Sequence, residues 1–253
     1  MKRAIIAAGI ATCMPLSALA DESSTAASPW DIELSASLSI VSGNSETDAF
    51  ASALRAERDG ETWRQTARAE AQKANAENAA GSRETTAERY FASYKLDRKL
   101  DDKNYLFNIV TYDKNRFSGF KYEASYALGV GRRLIDSQNH TLDGEFGPGY
   151  RIQCVEPESS YNVTNCDNLN EDATARLAAR YVWRISSNAT FSEEIVTEIG
   201  DDNTATSART SITSRINDSL ALRLSHILKH NTRVPAGREK ADQELQASLV
   251  YSF

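Results

Sequence analysis

Leu245-Gln246-Ala247-Ser248-Leu249-Val250-Tyr251-Ser252-Phe253, the last nine residues of the sequence, decide the fold. Leu245, Ala247, Leu249, Tyr251 and Phe253 fall on one face of an extended strand, and Gln246, Ser248 and Ser252 on the other. Period-two alternation of this kind marks a strand with one apolar and one polar face. The sequence stops on an aromatic residue, with no later segment to cover the apolar face. Such a strand is expected to close a sheet on itself, apolar side in lipid and polar side inward.

The alternation recurs along the whole chain. Trp30, Ile32, Leu34, Ala36, Leu38 and Ile40 alternate with Asp31, Glu33, Ser35, Ser37 and Ser39, about ten residues, which is what a tilted strand needs to cross a bilayer. The clearest stretch sets Phe120, Tyr122, Ala124, Tyr126, Leu128, Val130 and Leu134 against Lys121, Glu123, Ser125, Gly129, Gly131 and Arg133. The next sets Leu142, Phe146, Tyr150 and Ile152 against Asp143, Glu145, Gly147, Gly149 and Arg151. Tight turns such as Asp59-Gly60, Asp136-Ser137-Gln138-Asn139 and Asn217-Asp218 alternate with mostly longer connections. The pattern predicts an all-β protein, a transmembrane antiparallel up-and-down barrel of about 12 strands. Its short turns and both termini lie on the periplasmic side. A soluble sandwich would need a second apolar layer that this sequence does not supply.

Residues 1–20 read as a secretory signal peptide: a basic start (Lys2, Arg3), a short apolar stretch and Ala18-Leu19-Ala20. A short polar periplasmic leader at 21–29 would follow, then the barrel at 30–253. Removing Lys2 and Arg3 from the 29 basic residues leaves 27 against 35 acidic ones, a net charge of −8, which speaks against nucleic acid as a partner. The mean hydropathy of −0.49 does not separate a barrel from a soluble protein, because alternate strand residues face lipid. Cys13 leaves with the signal peptide, so Cys154 and Cys166 are expected to pair as a disulfide in an exported protein. Two cysteines with no nearby histidine make a poor metal site, and no cofactor motif is present.

Four segments add a resemblance: Ser42-Gly43-Asn44-Ser45-Glu46-Thr47, Asp113-Lys114-Asn115-Arg116-Phe117-Ser118-Gly119-Phe120, Leu128-Gly129-Val130-Gly131 and Glu145-Phe146-Gly147-Pro148-Gly149-Tyr150-Arg151. In this order they resemble the salt-induced outer-membrane protein family, domain of unknown function 481, over roughly residues 30–253. The resemblance implies an outer-membrane β-barrel in a Gram-negative envelope and transfers no catalytic residue. Tyr251 and Phe253 also look like the terminal signal read by the outer-membrane assembly machinery, an expected partner beside outer-membrane lipid.

With the apolar faces in lipid, the charged faces fill the lumen, and their signs alternate between neighbouring strands. Asp143 and Glu145 precede Arg176, Arg180 and Arg184; Glu194 and Glu198 follow, then Arg209 and Arg215, then Arg223. Cross-strand ion pairs are therefore expected. Two readings of this lattice stand side by side. In one it satisfies itself and braces the wall, giving a closed structural or surface-interaction barrel. In the other the three-arginine row makes a porin-like lane for small anionic solutes, as charged rings do in selective pores. Placing Leu134 opposite Leu142 sets Gly129 against Gly147 and Gly131 against Glu145, which marks a kink of the wall or a solute niche. An outer-membrane hydrolase is the rival class. His226 faces lipid opposite Thr210, His140 lies in a periplasmic turn, and His230 lies at the outer rim, where Asp201 and Asp202 could reach it, so nothing in the spacing demands that nucleophile, base and orienter converge.

Overall fold

The computed structural model describes residues 30–41, 47–77, 82–115, 118, 120–155, 166, 169–234 and 239–253. The expected signal peptide and leader lie outside them, as do the middles of several connections. The strands are β1 (Asp31–Val41), β2 (Thr47–Asp59), β3 (Trp63–Glu77), β4 (Arg83–Lys99), β5 (Asn104–Asn115), β6 (Phe120–Asp136), β7 (His140–Val155), β8 (Leu169–Arg184), β9 (Ala189–Gly200), β10 (Thr204–Arg215), β11 (Leu220–Asn231) and β12 (Ala241–Ser252). Each pairs antiparallel with its sequence neighbours, and β12 returns to β1, closing a twelve-strand barrel. This is the expected fold class, and closure removes the unpaired edges that lipid would not tolerate.

Alternation sets the two surfaces. Leu106, Val110, Tyr126, Leu128, Val130, Phe146, Leu177 and Ile212 all point outward and are exposed, Val130 by 56% and Phe146 by 55%. So wide an apolar belt has only one stable surrounding, the hydrocarbon of a membrane. The barrel is a membrane-spanning barrel. Aromatic rings gather at both rims of the belt. At the end carrying the short turns, His140 stacks on Tyr181 at 6.0 Å and on Trp183 at 5.8 Å, and Tyr251 meets Phe253 edge-on at 4.7 Å. At the other end Tyr112 stacks on Tyr122 at 5.9 Å. The strands β4 and β6 run 17 residues, longer than the roughly 9–11 a crossing requires, so they project past the hydrocarbon.

The turns are made by their own polar residues. The Asp101 carboxylate accepts from the Asn104 side chain at 2.8 Å and from the backbone N–H groups of Lys103 at 2.8 Å and Asn104 at 2.7 Å. These hydrogen bonds hold Asp101 below the usual carboxylate pKa. At the opposite end Cys154 and Cys166 form the expected disulfide, with Cα atoms 5.8 Å apart.

Two details depart from the alternation. Gly131 lies opposite Glu145 as expected, but the ladder slips between Arg133 and Ile135, so Leu142 faces Ile135 and not Leu134. The extra residue is a β-bulge just before the turn. A second slip, between Phe120 and Tyr122, removes Phe120 from the lipid face; it is 5% exposed. The seam is short: β12 and β1 pair from Glu33↔Ser252 to Ala36↔Leu249, whereas β1 and β2 pair along all of β1.

Candidate functional site

The closed barrel brings opposed charges together in its lumen. The inward residues meet in ion pairs that span the barrel as well as pairs along its wall. Arg68 on β3 donates to Glu194 on β9 at 2.9 Å. Arg209 on β10 donates to Glu70 on β3 at 2.7 Å. Arg89 on β4 holds the same Glu70 at 3.0 Å and Asp113 on β5 at 2.8 Å, and Lys229 on β11 reaches Asp113 at 2.9 Å. β3 and β9 are six places apart in a ring of twelve, as are β5 and β11, so these contacts cross the lumen.

The crossing pairs divide the interior. A chamber of about 480 Å³ opens toward the turn end, where Asp31, Arg215 and Ser252 line it. Another of about 230 Å³ opens toward the loop end, where Asp113, Lys229 and Asn231 line it. Arg68, Glu70, Glu194 and Arg209 border both. Around this constriction stand Arg55, Arg68, Arg89, Arg180 and Arg209 against Glu57, Glu70, Glu194 and Asp113, an excess of one guanidinium. Arg55 is ion-paired to Glu57.

The charged residues expected in the lumen find their partners at several distances around the ring. Arg176 pairs with Glu198 on the neighbouring strand at 3.2 Å. Glu194 lies in register with Arg180 and Arg209 yet turns to Arg68 across the lumen. Asp143, in register with Arg180, is held by Arg133 at 2.9 Å. Glu145 takes Lys95 at 2.5 Å and the Tyr105 hydroxyl at 3.0 Å. Arg184 donates to the Gln138 carbonyl in a turn at 2.9 Å, and Arg215 is exposed at the same rim. Arg223 reaches Glu33 on β1 at 3.0 Å. Arg180 makes no hydrogen bond and no ion pair among the described residues, and it lines the larger chamber.

Sequence reading missed a lumenal cluster on β5. Tyr105, Phe107, Ile109 and Ala127 pack together inside the barrel, with Phe107 1% exposed. Lys95 lies over the Tyr105 ring at 5.2 Å and the Phe107 ring at 5.7 Å, and Arg64 over Tyr105 at 4.9 Å. Beneath them Asp97, 1% exposed, accepts from Arg64 at 2.7 Å. The signal was there: Tyr105, Phe107 and Ile109 alternate with Leu106 and Val110, so β5 is apolar on both faces. This cluster thickens the wall on one side of the lumen.

Glycines fit the wall to that cluster. A Cβ on Gly131 would strike the Tyr105 ring, and Cβ atoms on Gly129 and Gly147 would each strike backbone of the facing strand. These glycines serve close approach of strands and ring. Among the described residues no group of three His, Cys, Asp or Glu is placed to hold a metal ion. His226 is exposed beside Gln243, 3.4 Å away, and in register with Thr210. Asp202 near the outer rim is engaged by Arg233 at 2.8 Å, not by His230.

The family model described as "Protein of unknown function, DUF481" matches residues 34–253. The uncharacterized protein YdiY of Escherichia coli (strain K12) is 26% identical over 235 residues, covering 92% of this chain and 87% of its own. Among solved structures, the NanC porin gives a TM-score of 0.49 at 11% identity, over 88% of this chain and 98% of its own. The translocator domain of autotransporter NalP from Neisseria meningitidis gives 0.47 at 12% identity, over 90% of each chain. The KdgM porin in complex with disordered oligogalacturonate gives 0.46 at 7% identity, over 88% of this chain and 99% of its own.

Proposed function

This chain belongs to the DUF481 family, and from that premise we propose an outer-membrane barrel whose lumen is a narrow passage for small anionic solutes, held shut at mid-depth by ion pairs that cross it. The observation that carries this reading is the joining of β3 to β9 and β10 by Arg68–Glu194 and Arg209–Glu70. Both pairs are partly exposed to the chambers, so each is worth about 1 kcal/mol rather than the larger figure for a buried pair. Separating the two then costs roughly 2 kcal/mol, and an open fraction of the order of a few per cent follows. Passage is therefore intermittent. Mobile salt weakens such pairs.

The sign of the solute follows from the constriction. Its guanidiniums outnumber its carboxylates, and Arg180 has a free guanidinium facing the larger chamber among the described residues. Charged rings of this kind select by sign. The same pairs also brace the wall, and bracing becomes their whole role if the passage never opens. The test is a reversal potential across a planar bilayer holding purified barrel in a potassium chloride gradient. Whatever current flows favours chloride, and Arg180→Gln weakens that preference. A cation preference, or an Arg180→Gln protein with unchanged selectivity, overturns the assignment.

A further inference from the structure

A second feature lies on the outer wall, away from the lumen. An apolar groove of about 600 Å³ runs over β6 to β9, within the roughly 300–1,000 Å³ range of small-molecule sites. Its floor is the small pair Gly144 and Ala179, which lie opposite each other, and Val130, Phe146 and Leu177 rise beside them. Small side chains between large ones make a trough on the lipid face. One end of the trough carries Arg132, which is in register with Gly144.

Arg132 is exposed on the lipid side of the wall and makes no hydrogen bond or ion pair among the described residues. The nearby Asp101 attracts it, but that carboxylate already accepts from Lys103 and Asn104. A cation facing hydrocarbon is costly at the bilayer centre and nearly free at the interface. The ladder places Arg132 at the interface. It is in register with Asn104, the first residue of β5, and the next residue, Arg133, donates its N–H to the Lys103 carbonyl at 2.8 Å.

The row then descends into the membrane. Asn104, Arg132, Gly144, Ala179 and Ile195 are successive partners across five strands. Asn104 begins its strand, Arg132 and Gly144 each stand four residues from the turn end of theirs, Ala179 five and Ile195 six. A ligand seated here would have an anionic head beside the turns and an apolar tail running toward mid-bilayer. We infer that the groove is a specific site for one glycerophospholipid of the periplasmic leaflet, its phosphate on Arg132 and an acyl chain over Gly144 and Ala179. Basic residues at the end of an apolar trough recognise lipid phosphate in this way.

Native mass spectrometry of the intact barrel in detergent tests it, with palmitoyl-oleoyl-phosphatidylglycerol and the diacylglycerol of the same chains as probes. One phosphatidylglycerol stays bound under conditions that strip the diacylglycerol. Arg132→Gln lowers its retention about tenfold, the scale of one charge-assisted contact. Ala179→Leu, which fills the floor and leaves the charge in place, lowers it as well and carries the test should Arg132→Gln fail to fold. Arg98→Gln, an arginine stacked on Trp63 elsewhere on the outer wall, leaves it unchanged. The site is refuted by equal retention of the two lipids, by wild-type retention in both groove variants, or by equal loss in Arg98→Gln. Displacement by equimolar lipid A, or a lipid-free dimer that excludes the probe, refutes it too.

Discussion

Replacing Glu70 by alanine removes the carboxylate that joins Arg89 on β4 to Arg209 on β10. The side chains are partly shielded, Glu70 being 19% exposed, Arg89 14% and Arg209 32%. Arg89 keeps Asp113, so it is not left unpaired. Arg209 has no second ion-pair partner among the described residues, and it can turn toward the water of either chamber. The loss therefore falls below the 3–5 kcal/mol typical of a stranded buried charge and above the few tenths of an exposed pair. About 2 kcal/mol is expected, close to 1 for each contact. Urea unfolding in lipid vesicles, followed through the fluorescence of the 3 tryptophans, measures it. A double-mutant cycle with Arg209→Ala should return a coupling of about 1 kcal/mol. If Glu70→Ala stays within about 0.5 kcal/mol of wild type and the coupling is zero, the two walls are not joined by this pair and the reasoning fails.

The glycines give a graded series. Gly147→Ala drives a Cβ into the backbone of Leu128 and Gly129 and should cost more than Gly131→Ala, whose obstacle is the tip of Tyr105; overpacking of this kind costs about 1–3 kcal/mol. Heat-modified gel mobility ranks the two, and the reverse order would contradict the geometry. Pairing Gly131→Ala with Tyr105→Ala should recover part of the Gly131→Ala loss, and a strictly additive result would mean that the ring and the glycine do not touch. Reducing Cys154–Cys166 should remove at most about 3 kcal/mol, the closure entropy of a short loop, and leave the barrel folded by circular dichroism. Asp101 has a depressed folded pKa, so its support of the turn is complete above the ordinary aspartate value and disappears as pH falls through the lower, folded one. A carbon-detected titration should place it below the ordinary aspartate value, and Asn104→Ala should raise it.

Much of the barrel was legible because period two is a local signal. Leu245 to Phe253 show a face, and tight turns such as Asn217-Asp218 fix the register of the strands they join, so counting back from that turn sets His226 opposite Thr210, the pairing found in the ladder. Charge alternation between neighbouring strands was legible for the same reason, and Arg176–Glu198 realises it. Where the chain chose otherwise, the cause is distance around the ring. Glu194 has two arginines in register beside it and bonds a third on the opposite wall, because a twelve-strand lumen is narrow enough for Arg68 to span. No spacing in the sequence encodes that meeting. The β5 cluster was hidden by a strand apolar on both faces, and the bulge at Arg133 and Ile135 by having no marker of its own.

The final strand, recognisable by its apolar face, proves to be the seam, its ladder to β1 reaching only from Ser252 to Leu249. Its inward residues Gln246 and Ser248 are uncharged, Gln246 donates to Ser37 at 3.2 Å, and Glu244, the charge on this face expected to meet Arg223 or Lys229, instead accepts from Gln72 on β3 at 2.9 Å. Among the described residues the closing strand takes no part in the ion pairs that cross the lumen.

Single-channel recording in one planar bilayer system, comparing wild type with Arg68→Ala/Glu70→Ala, tests the crossing pairs most directly. That double substitution removes one member of each β3 bridge and one charge of each sign, so the net charge is unchanged. Rare, brief openings are expected for wild type and sustained steps of current for the variant. Equal currents from the two proteins, whether both open or both silent, would contradict closure by the crossing pairs.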